Sequence, residues 1–178
     1  MATATQQLQG TYVLDPIHSS ASFAVKHMFV STFRGRFEKF DATLTDGKLV
    51  GTVDVGSLVV KDENLAAHLQ SPEFFDAERH PELRFESSEI RPTGEGDEIV
   101  VDGELTIKGI TKPVEARGTL EGPHVTFGDV NKIGLTLEAI IDRTEFGLNW
   151  NAPLPKGGFA LANEVKLIVE LELAEQAY

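Results

Sequence analysis

The sequence of 178 residues contains no cysteine. That absence excludes disulfide bridges, thiolate metal sites and a cysteine nucleophile together. Long hydrophobic runs are absent as well, and none approaches the roughly 20 residues that a membrane-spanning helix needs. The first ten residues have neither the cationic start nor the apolar run of a secretory signal peptide. We therefore expect a cytoplasmic protein with no membrane span.

Positive charge is scarce, because 16 Lys and Arg residues stand against 28 Asp and Glu residues and the net charge is −12. Nucleic-acid binders need clustered positive charge to displace counterions from phosphates, so this balance argues against that class. It also argues against docking on an anionic membrane surface as the main activity. The hydrophobic content of 41% is ordinary, and a chain of this length can bury a full core.

The stretch 26–39 is a local exception, because it is basic within an acidic chain. Two interpretations are open. In the first, His27, Arg34 and Arg36 contact an anionic group such as a phosphate head group. In the second, the stretch is an ordinary solvated strand face whose charges pair with acidic neighbours.

Local motifs for catalysis and metal binding are missing from the sequence. Neither a G-x-S-x-G nucleophile elbow nor a glycine-rich phosphate loop occurs. The histidines lack local metal-binding spacing, and His18, three residues after Asp15, is better explained as part of a turn-stabilising pair. Arg143 follows Asp142 directly, which predicts a buried ion pair or, alternatively, a ligand contact. We expect no catalytic residue, no metal site and no cofactor, and hence no enzyme.

Hydrophobic alternation with a period of two dominates the chain and is typical of antiparallel strands with one wet face. Within residues 98–108, for example, one face carries Ile99, Val101, Gly103, Leu105 and Ile107. Asp46-Gly47 lies between two alternating runs and predicts a tight hairpin. The same criteria predict strands over 11–14, 20–26, 36–44, 49–60, 83–91, 114–121, 135–142 and 165–175.

One segment, residues 61–70, predicts a helix, because it has acids in its first turn and no glycine or proline. The chain shows no long linker and no internal repeat. We therefore expect an N-terminal tail over 1–10 and a single all-β domain over 11–178. Eight or nine strands with one inserted helix favour a closed barrel or a two-sheet sandwich.

The interior of an eight-stranded barrel is just wide enough for packed side chains or for one small ligand. Small residues at inward positions either leave an elongated apolar cavity or fit the taper between larger neighbours. These small residues are Ala21, Ala42, Gly51, Gly103, Ala116, Gly118 and Ala139. If a cavity exists, we expect its apolar lining to include Phe23, Val25, Phe40, Ala42, Val101, Leu105, Ile107, Leu137, Ala139, Phe146 and Trp150.

Five stretches occur together in a specific order: T-Y-V-L-D-P-I-H-S-S from residue 11, F-A-V-K-H with R-G-R-F from 23, H-L-Q-S-P-E-F-F-D from 68, D-G-E-L-T-I-K-G-I-T-K-P-V from 102 and D-R-T-E-F-G-L from 142. In this arrangement they resemble the YceI-like family of bacterial polyisoprenoid-binding, lipocalin-like proteins. The resemblance implies an eight-stranded antiparallel barrel of extended lipocalin type with one inserted helix. It also implies an apolar tunnel for a long-chain isoprenoid and no enzymatic role. Many relatives carry a secretory signal and are periplasmic, whereas this sequence shows none.

Three functions compete on this evidence. The first is binding and carriage, or sequestration, of a long-chain isoprenoid or similar amphiphilic lipid. The second is an enzyme that acts on such a lipid through a histidine and an acid at the barrel mouth, with His18 and His27 as the candidates. The third is a ligand-free interaction module with a filled barrel. Sheet edges or exposed aromatic residues could join two copies into a homodimer.

Overall fold

The computed structural model describes residues 8–176, whose strands form a sheet that closes on itself. The strands are β1 (Thr11–Leu14), β2 (Ser20–His27), β3 (Ser31–Phe37), β4 (Phe40–Thr45), β5 (Lys48–Asp54), β6 (Leu58–Val59), β7 (Glu82–Pro92), β8 (Glu98–Ile107), β9 (Ile110–Val125), β10 (Asn131–Asp142) and β11 (Leu161–Glu175). Eight of them form a ring in the order β1, β4, β5, β7, β8, β9, β10 and β11, and β11 pairs again with β1. This ring confirms the eight-stranded antiparallel barrel.

Strand β11 closes the ring by pairing with two strands along one edge. Near its end it pairs with β1 over Leu173–Glu175, and before that it pairs with β2 over Leu161–Glu170. Strand β2 then pairs with β3, and β3 pairs with β6. We call the end that carries the Asp46-Gly47 turn the lower end, and the opposite end, near His27, the upper end.

The first long strand is broken between β1 and β2 by a 3-10 turn over Pro16–His18. Leu14 faces Leu173 whereas Ser20 faces Glu170. The chain therefore advances six residues between β1 and β2 while β11 advances only three. Polar groups of the turn satisfy the backbone of β11 at this point. Asp15 N donates to Glu172 O at 2.8 Å, and Glu172 N donates to Ser19 Oγ at 2.9 Å. The break therefore leaves the ring hydrogen-bonded.

Two predicted strands, 36–44 and 49–60, are each divided in the structure. The first becomes β3 and β4, and the second ends at Asp54 before a 3-10 turn over Val55–Ser57. Ser57 holds this corner, because its hydroxyl accepts from Lys39 N at 2.9 Å and donates to Asp54 O at 2.6 Å. Hydrophobic alternation continues across the corner, which is why the periodicity alone missed both breaks.

Helix α1 (Glu63–Gln70) lies at the upper end, within the predicted segment 61–70. Its start is set by Asp62, whose side chain accepts a hydrogen bond from Leu65 N at 2.9 Å as an N-cap. Its buried residue, Leu69, packs into the upper half of the barrel. Within residues 8–176, no helix is long and apolar enough to cross a membrane.

The apolar interior consists of two clusters, one in each half of the barrel. The lower cluster includes Leu44, Val101, Leu135 and Leu173, and Leu8, upstream of β1, packs into it with 1% exposure. The rest of the expected tail, residues 1–7, lies outside the described part of the chain. The upper cluster is rich in aromatic residues and includes Phe23, Phe37, Leu69, Phe74, Leu105 and Phe146.

We expect Gly118→Ala to destabilise the barrel, because a Cβ at this position would collide with the carbonyl of Thr136 on the neighbouring strand. Backbone cannot move aside as a flexible side chain can, so the loss should reach about 3 kcal/mol, the upper end for overpacking. Gly134→Ala is the control, since its Cβ would meet only Glu121 Cβ at 4.0 Å. Urea unfolding measures both, and equal losses would contradict the explanation.

Candidate ligand-binding site

The barrel interior contains two apolar cavities, which we call the lower chamber and the upper chamber. The lower chamber has a volume of about 160 Å³, and its almost wholly apolar wall includes Phe40, Ala42, Gly51, Ala116, Leu137, Ala139 and Val169. The upper chamber has a volume of about 90 Å³, and its wall includes Phe23, Val25, Phe33, Phe75, Ile107, Arg143 and Val165. The cavity interpretation of the small inward residues applies to the lower chamber.

Four side chains belong to the walls of both chambers, and they separate the two spaces. They are Phe37, Leu83, Leu105 and Leu167. Leu83 and Leu167 keep part of their surface accessible although they face inward, because they border a cavity rather than a packed neighbour. We call these four residues the constriction, and the chambers on either side of it are successive parts of one interior.

Eight of the eleven residues expected in the lining lie in a chamber wall. Phe40, Ala42, Leu137 and Ala139 line the lower chamber, Phe23, Val25 and Ile107 line the upper one, and Leu105 lines both. The other three are packed elsewhere. Val101 is fully buried in the lower cluster, Phe146 is buried in the upper cluster, and Trp150 packs on the outside of that cluster. Ligand contact by any of them stays a prediction.

The small inward residues have two different roles. Ala21, Ala42, Gly51, Ala116 and Ala139 border the lower chamber and give it its volume. Gly103 instead accommodates the ring of Phe85, whose Cζ lies 2.6 Å from the position that a Cβ would occupy. Gly118 accommodates a neighbouring backbone, as described above. Both interpretations of the small residues thus apply, each at different positions.

Aromatic rings from the strands and from the segment after α1 cover the upper chamber. Phe75 packs against Phe23 and Phe37 with ring centroids 6.3 and 6.1 Å apart, and Phe23 lies 5.9 Å from Phe33. We call residues 63–75, which contain α1 and Phe75, the roof. Lys108 fastens it, because its ammonium donates to Pro72 O at 2.7 Å and to Gly147 O at 3.2 Å.

Trp150 closes the outer side of the roof. Its ring lies 5.4 Å from Phe74 and 4.8 Å from His68, both of which the roof supplies. The other side of His68 is taken by Glu73, with Nε2 2.6 Å from the carboxylate. This histidine–acid pair is part of the packing over the chamber and does not line either chamber.

Arg143 is the one charged side chain in the upper chamber wall, and it is 4% exposed. Its Nε donates to Ala162 O at 2.9 Å, and Nη1 donates to Leu148 O at 2.6 Å and to Trp150 O at 2.9 Å. Among the described residues, Nη2 is buried without a hydrogen-bond partner. Burial lowers the pKa of Arg143 from its usual range, and the neighbouring carboxylate of Asp142 opposes this.

The sequence did not reveal this environment of Arg143. The adjacent Asp142 suggested an ion pair, but its carboxylate accepts from the backbone N of Thr144 at 2.9 Å and from the hydroxyl at 2.6 Å. These hydrogen bonds lower the pKa of Asp142 and turn the carboxylate toward solvent. The guanidinium is bonded to carbonyl oxygens instead, which only the folded loop brings together.

The basic residues expected at a head group do not line either chamber. Arg34 and Arg36 are exposed on the outer face of β3, because Phe33 and Phe37 on the same strand point inward. Arg36 lies 3.6 Å from Glu38 on the surface. His27 is half-buried at the upper end of β2. Contact of these three residues with a ligand stays a prediction. Such contact would be made at the rim of the barrel and not inside a chamber.

His18 belongs to a polar cluster at the break between β1 and β2. Its Nδ1 lies 3.0 Å from Asp15 Oδ2, which confirms the predicted turn pair, and 3.6 Å from Glu172. The three side chains could offer oxygen and nitrogen ligands to a metal within 4.8 Å of one another. Lys132 already supplies a cation there, however, with Nζ 3.1 Å from Glu172. His18 precedes β2 and His27 is its last residue, so the two histidines lie at opposite ends of this strand and do not meet.

The closed antiparallel ring, the helix inserted before β7 and the apolar chambers inside the barrel define a lipocalin-like barrel. The pattern of the YceI-like domain matches residues 12–173, and the chain belongs to this family. A UPF0312 protein of Staphylococcus aureus is 30% identical in an alignment 178 residues long, which covers 92% of this chain and 96% of the relative. A UPF0312 protein of Staphylococcus epidermidis is 31% identical over 171 residues, which cover 90% and 95%.

Solved structures share the fold. BcnA of Burkholderia cenocepacia superposes with a TM-score of 0.72 at 24% identity, over 89% of this chain and 98% of that one. A polyisoprenoid binding domain from Saccharophagus degradans superposes with a TM-score of 0.68 at 11% identity, over 93% and 98%. The family and the fold implied by the sequence motifs are thus confirmed.

The polar cluster at the strand break makes stability depend on pH. The hydrogen bond from His18 lowers the pKa of Asp15 to about 2, and Asp15 in turn raises the pKa of His18. Because the folded protein raises the pKa of His18, the stabilisation from this histidine is complete below its unfolded pKa of 6.5. It is lost as the pH rises through the pKa that His18 has in the folded protein. The stabilisation from Asp15 is present above 3.8 and is lost as the pH falls toward 2.

We therefore expect His18→Ala to lower the Tm at pH values below 6.5, with the difference from the unmodified protein shrinking as the pH rises through the folded pKa. Thermal unfolding followed by circular dichroism across this range measures the difference. His124→Ala, which changes an exposed histidine of β9, is the control. A Tm difference for His18→Ala that stays constant with pH would contradict the assignment.

Proposed function

We propose that this protein binds a long-chain isoprenoid or a similar amphiphilic lipid inside its barrel and carries or sequesters it. The observation that carries the proposal is the pair of apolar chambers in series within a closed sheet. A linear apolar chain matches two narrow spaces on one path better than a compact ligand does. Burial of the chain would supply the affinity, at about 0.8 kcal/mol for each buried methylene group.

The chamber volumes imply that the wall moves when a long chain binds. A cavity of about 150 Å³ holds a ligand of the size of benzene, and drug-sized ligands occupy roughly 300–1,000 Å³. The chambers, at about 160 and 90 Å³, fall short of that range. Phe37 is one of the four side chains of the constriction, and Phe75 is one of the rings that cover the upper chamber. Their rotation would join the spaces and lengthen them.

The comparisons support binding rather than catalysis. The chain belongs to the YceI-like family, and a structural neighbour is a polyisoprenoid binding domain. The geometry favours the same conclusion, because the two histidine–acid pairs lie away from the chambers. His18 with Asp15 sits on the outer surface of the strand break, and His68 with Glu73 packs over the roof. Neither pair lines a chamber wall, so neither is placed to act on a chain bound there.

Native purification followed by organic extraction and mass spectrometry tests the proposal directly. We expect a prenyl lipid to be recovered in proportion to the protein, and we expect the delipidated protein to take up an isoprenoid quinone or a prenyl alcohol. A protein that yields no lipid and takes up neither probe would refute the function. It would favour the ligand-free interaction module instead.

We expect Ala139→Phe to abolish lipid binding, because the new ring would fill the lower chamber from its wall. Ile140→Phe is a matched control, since Ile140 is the next residue of β10, points outward and is 62% exposed. Both variants should keep the circular dichroism spectrum of the barrel, and only Ala139→Phe should lose extractable lipid and titratable binding. Equal binding by the two variants would show that the lipid does not occupy the lower chamber.

A further inference from the structure

We propose that two hairpin tips at the upper end of the barrel form a docking surface for an anionic lipid bilayer. The first tip is the turn Met28–Val30 between β2 and β3, and the second is the loop 153–159 between β10 and β11. We call these two segments the docking tips. The docking goes beyond the proposed function, because it needs no ligand inside the barrel.

The docking tips hold large apolar side chains in solvent. Met28 is 46% exposed, Phe29 is 69% exposed and Val30 is 85% exposed, although the three are consecutive in the chain. Phe159 of the second tip is 57% exposed. Single exposed apolar side chains are ordinary on a protein surface, whereas a contiguous group of them marks an interaction site.

The backbone of the first tip has an unfavourable conformation. Val30 N donates to His27 O at 3.2 Å and closes a tight turn, in which φ is 49° at Met28 and 64° at Phe29. Turns with positive φ at both central positions favour asparagine and glycine, because a larger side chain there crowds the backbone. Neither side chain is buried, so core packing does not explain the choice of Met and Phe. Backbone kept in such conformations is concentrated at functional sites.

Backbone contacts join the two docking tips into one surface. Met28 N donates to Ala160 O at 2.7 Å. A Cβ at Gly158 would lie 2.5 Å from Phe29 Cζ, so the phenyl ring rests against the bare backbone of this glycine. Leu154 N donates to Gly158 O at 2.9 Å and closes the second tip. The exposed apolar side chains therefore belong to one patch at the rim of the barrel.

The surroundings of this patch are basic. The stretches 20–37 and 146–163 contain the docking tips, and all 28 acidic residues of the chain lie outside these stretches. Arg36 is 3.6 Å from Glu38 on the surface. The other three cations of the two stretches have no carboxylate within 4.0 Å in residues 8–176. They are Lys26, Arg34 and Lys156.

These three cations can reach lipid head groups when the tips touch a bilayer. Lys156 belongs to the second tip, and Lys26 is exposed two residues before Met28. Arg34 lies roughly 10 Å from the start of β3 at the usual rise of a strand, and its long side chain can extend toward the rim. An apolar patch with free cations beside it is the arrangement by which proteins bind anionic membrane surfaces.

A second copy of the chain fits this surface less well than a bilayer does. Two copies that met through the docking tips would bring the cations of one against the cations of the other, and like charges in contact oppose association. Anionic lipid head groups would neutralise the same cations. The net charge of −12 would keep the remaining faces away from such a bilayer, so the protein would dock with its upper end first.

Docking in this orientation would bring the upper chamber close to the membrane. Val25 and Phe33 lie on the two strands that carry the first tip, and Leu161 follows the second tip. All three line the upper chamber. A lipid exchanged at this end would pass between bilayer and barrel with little exposure to water. This consequence rests on the proposed function, whereas the docking itself does not.

Co-sedimentation with lipid vesicles tests the docking. We expect vesicles of phosphatidylcholine and phosphatidylglycerol in equal parts to bind the protein at least about tenfold more tightly than vesicles of phosphatidylcholine alone. Sodium chloride at about 1 M should remove this difference, because it screens the charges. Neutral vesicles that bind the protein as tightly as anionic ones would overturn the role of the cations.

The double variant Phe29→Asp with Val30→Asp should lose at least about tenfold in affinity for the anionic vesicles, because two carboxylates replace the apolar side chains that would be buried. Val125→Asp with Phe127→Asp is the matched control. It adds the same charge at two exposed apolar residues of the lower end, which are 69% and 100% exposed. Circular dichroism shows whether both variants keep the barrel.

The absence of cysteine allows a positional test in the otherwise unmodified protein. Val30→Cys and Phe127→Cys each supply a single site for an environment-sensitive fluorophore such as nitrobenzoxadiazole. We expect the emission of the label at position 30 to shift to the blue and to increase when anionic vesicles are added. The label at position 127 should not respond.

Equal vesicle binding by the two double variants would overturn the docking, as would a label that responds at position 127 and not at position 30. A dimer that only the upper-end variant converts to monomers, together with no binding to vesicles, would show that a second copy covers the patch. Protein that docks but yields no extractable lipid would refute the proposed function and leave the docking supported. Protein that yields lipid but ignores vesicles would do the reverse.

Discussion

The architecture depends on the hydrogen bonding of β11, the strand that closes the barrel. One edge of β11 pairs with β10 over Glu164–Ala174, while the other edge is shared between β1 and β2. The shared edge works because Asp15 and Ser19 satisfy the backbone of Glu172 where the two strands separate. A closed ring leaves its eight strands without a free edge that could pair with another chain.

The break in the first strand and the corner after β3 together shape the binding site. Toward the lower end, β1 and β4 complete the ring. The wall of the lower chamber includes β4, the start of β2 and the end of β3. Toward the upper end, β2 and β3 pair with each other and leave room that the roof fills with Phe74 and Phe75. Two chambers with different walls result from one closed sheet. The lower chamber is bounded by strands alone, and the upper one is bounded by strands, a roof and the loop that carries Arg143.

Most of the barrel follows from local patterns in the sequence. Alternation along residues 98–108 and 135–142 predicts both the strands and their inward faces, and Asp46-Gly47 predicts the hairpin between β4 and β5. The corner at Ser57 and the environment of Arg143 do not follow in this way, because both are made by hydrogen bonds between distant segments. The lining was predicted where alternation decides it, as at Ala139. Val101 and Trp150, which we also expected in the lining, lie outside the chamber walls, because the packing of neighbours decides which inward residue faces a cavity. Their contact with a ligand stays a prediction.

The roof is held differently from everything beneath it. Residues 63–75 belong to no strand ladder of the ring, and Lys108 ties them down through Pro72 O. Opening this segment would expose Leu69 and Phe74 but leave the inter-strand hydrogen bonds intact, so the roof can open without unfolding of the ring. The residence time of a bound molecule would then follow the local opening rate. A barrel with a high melting temperature could therefore still exchange its cargo quickly under ordinary growth conditions.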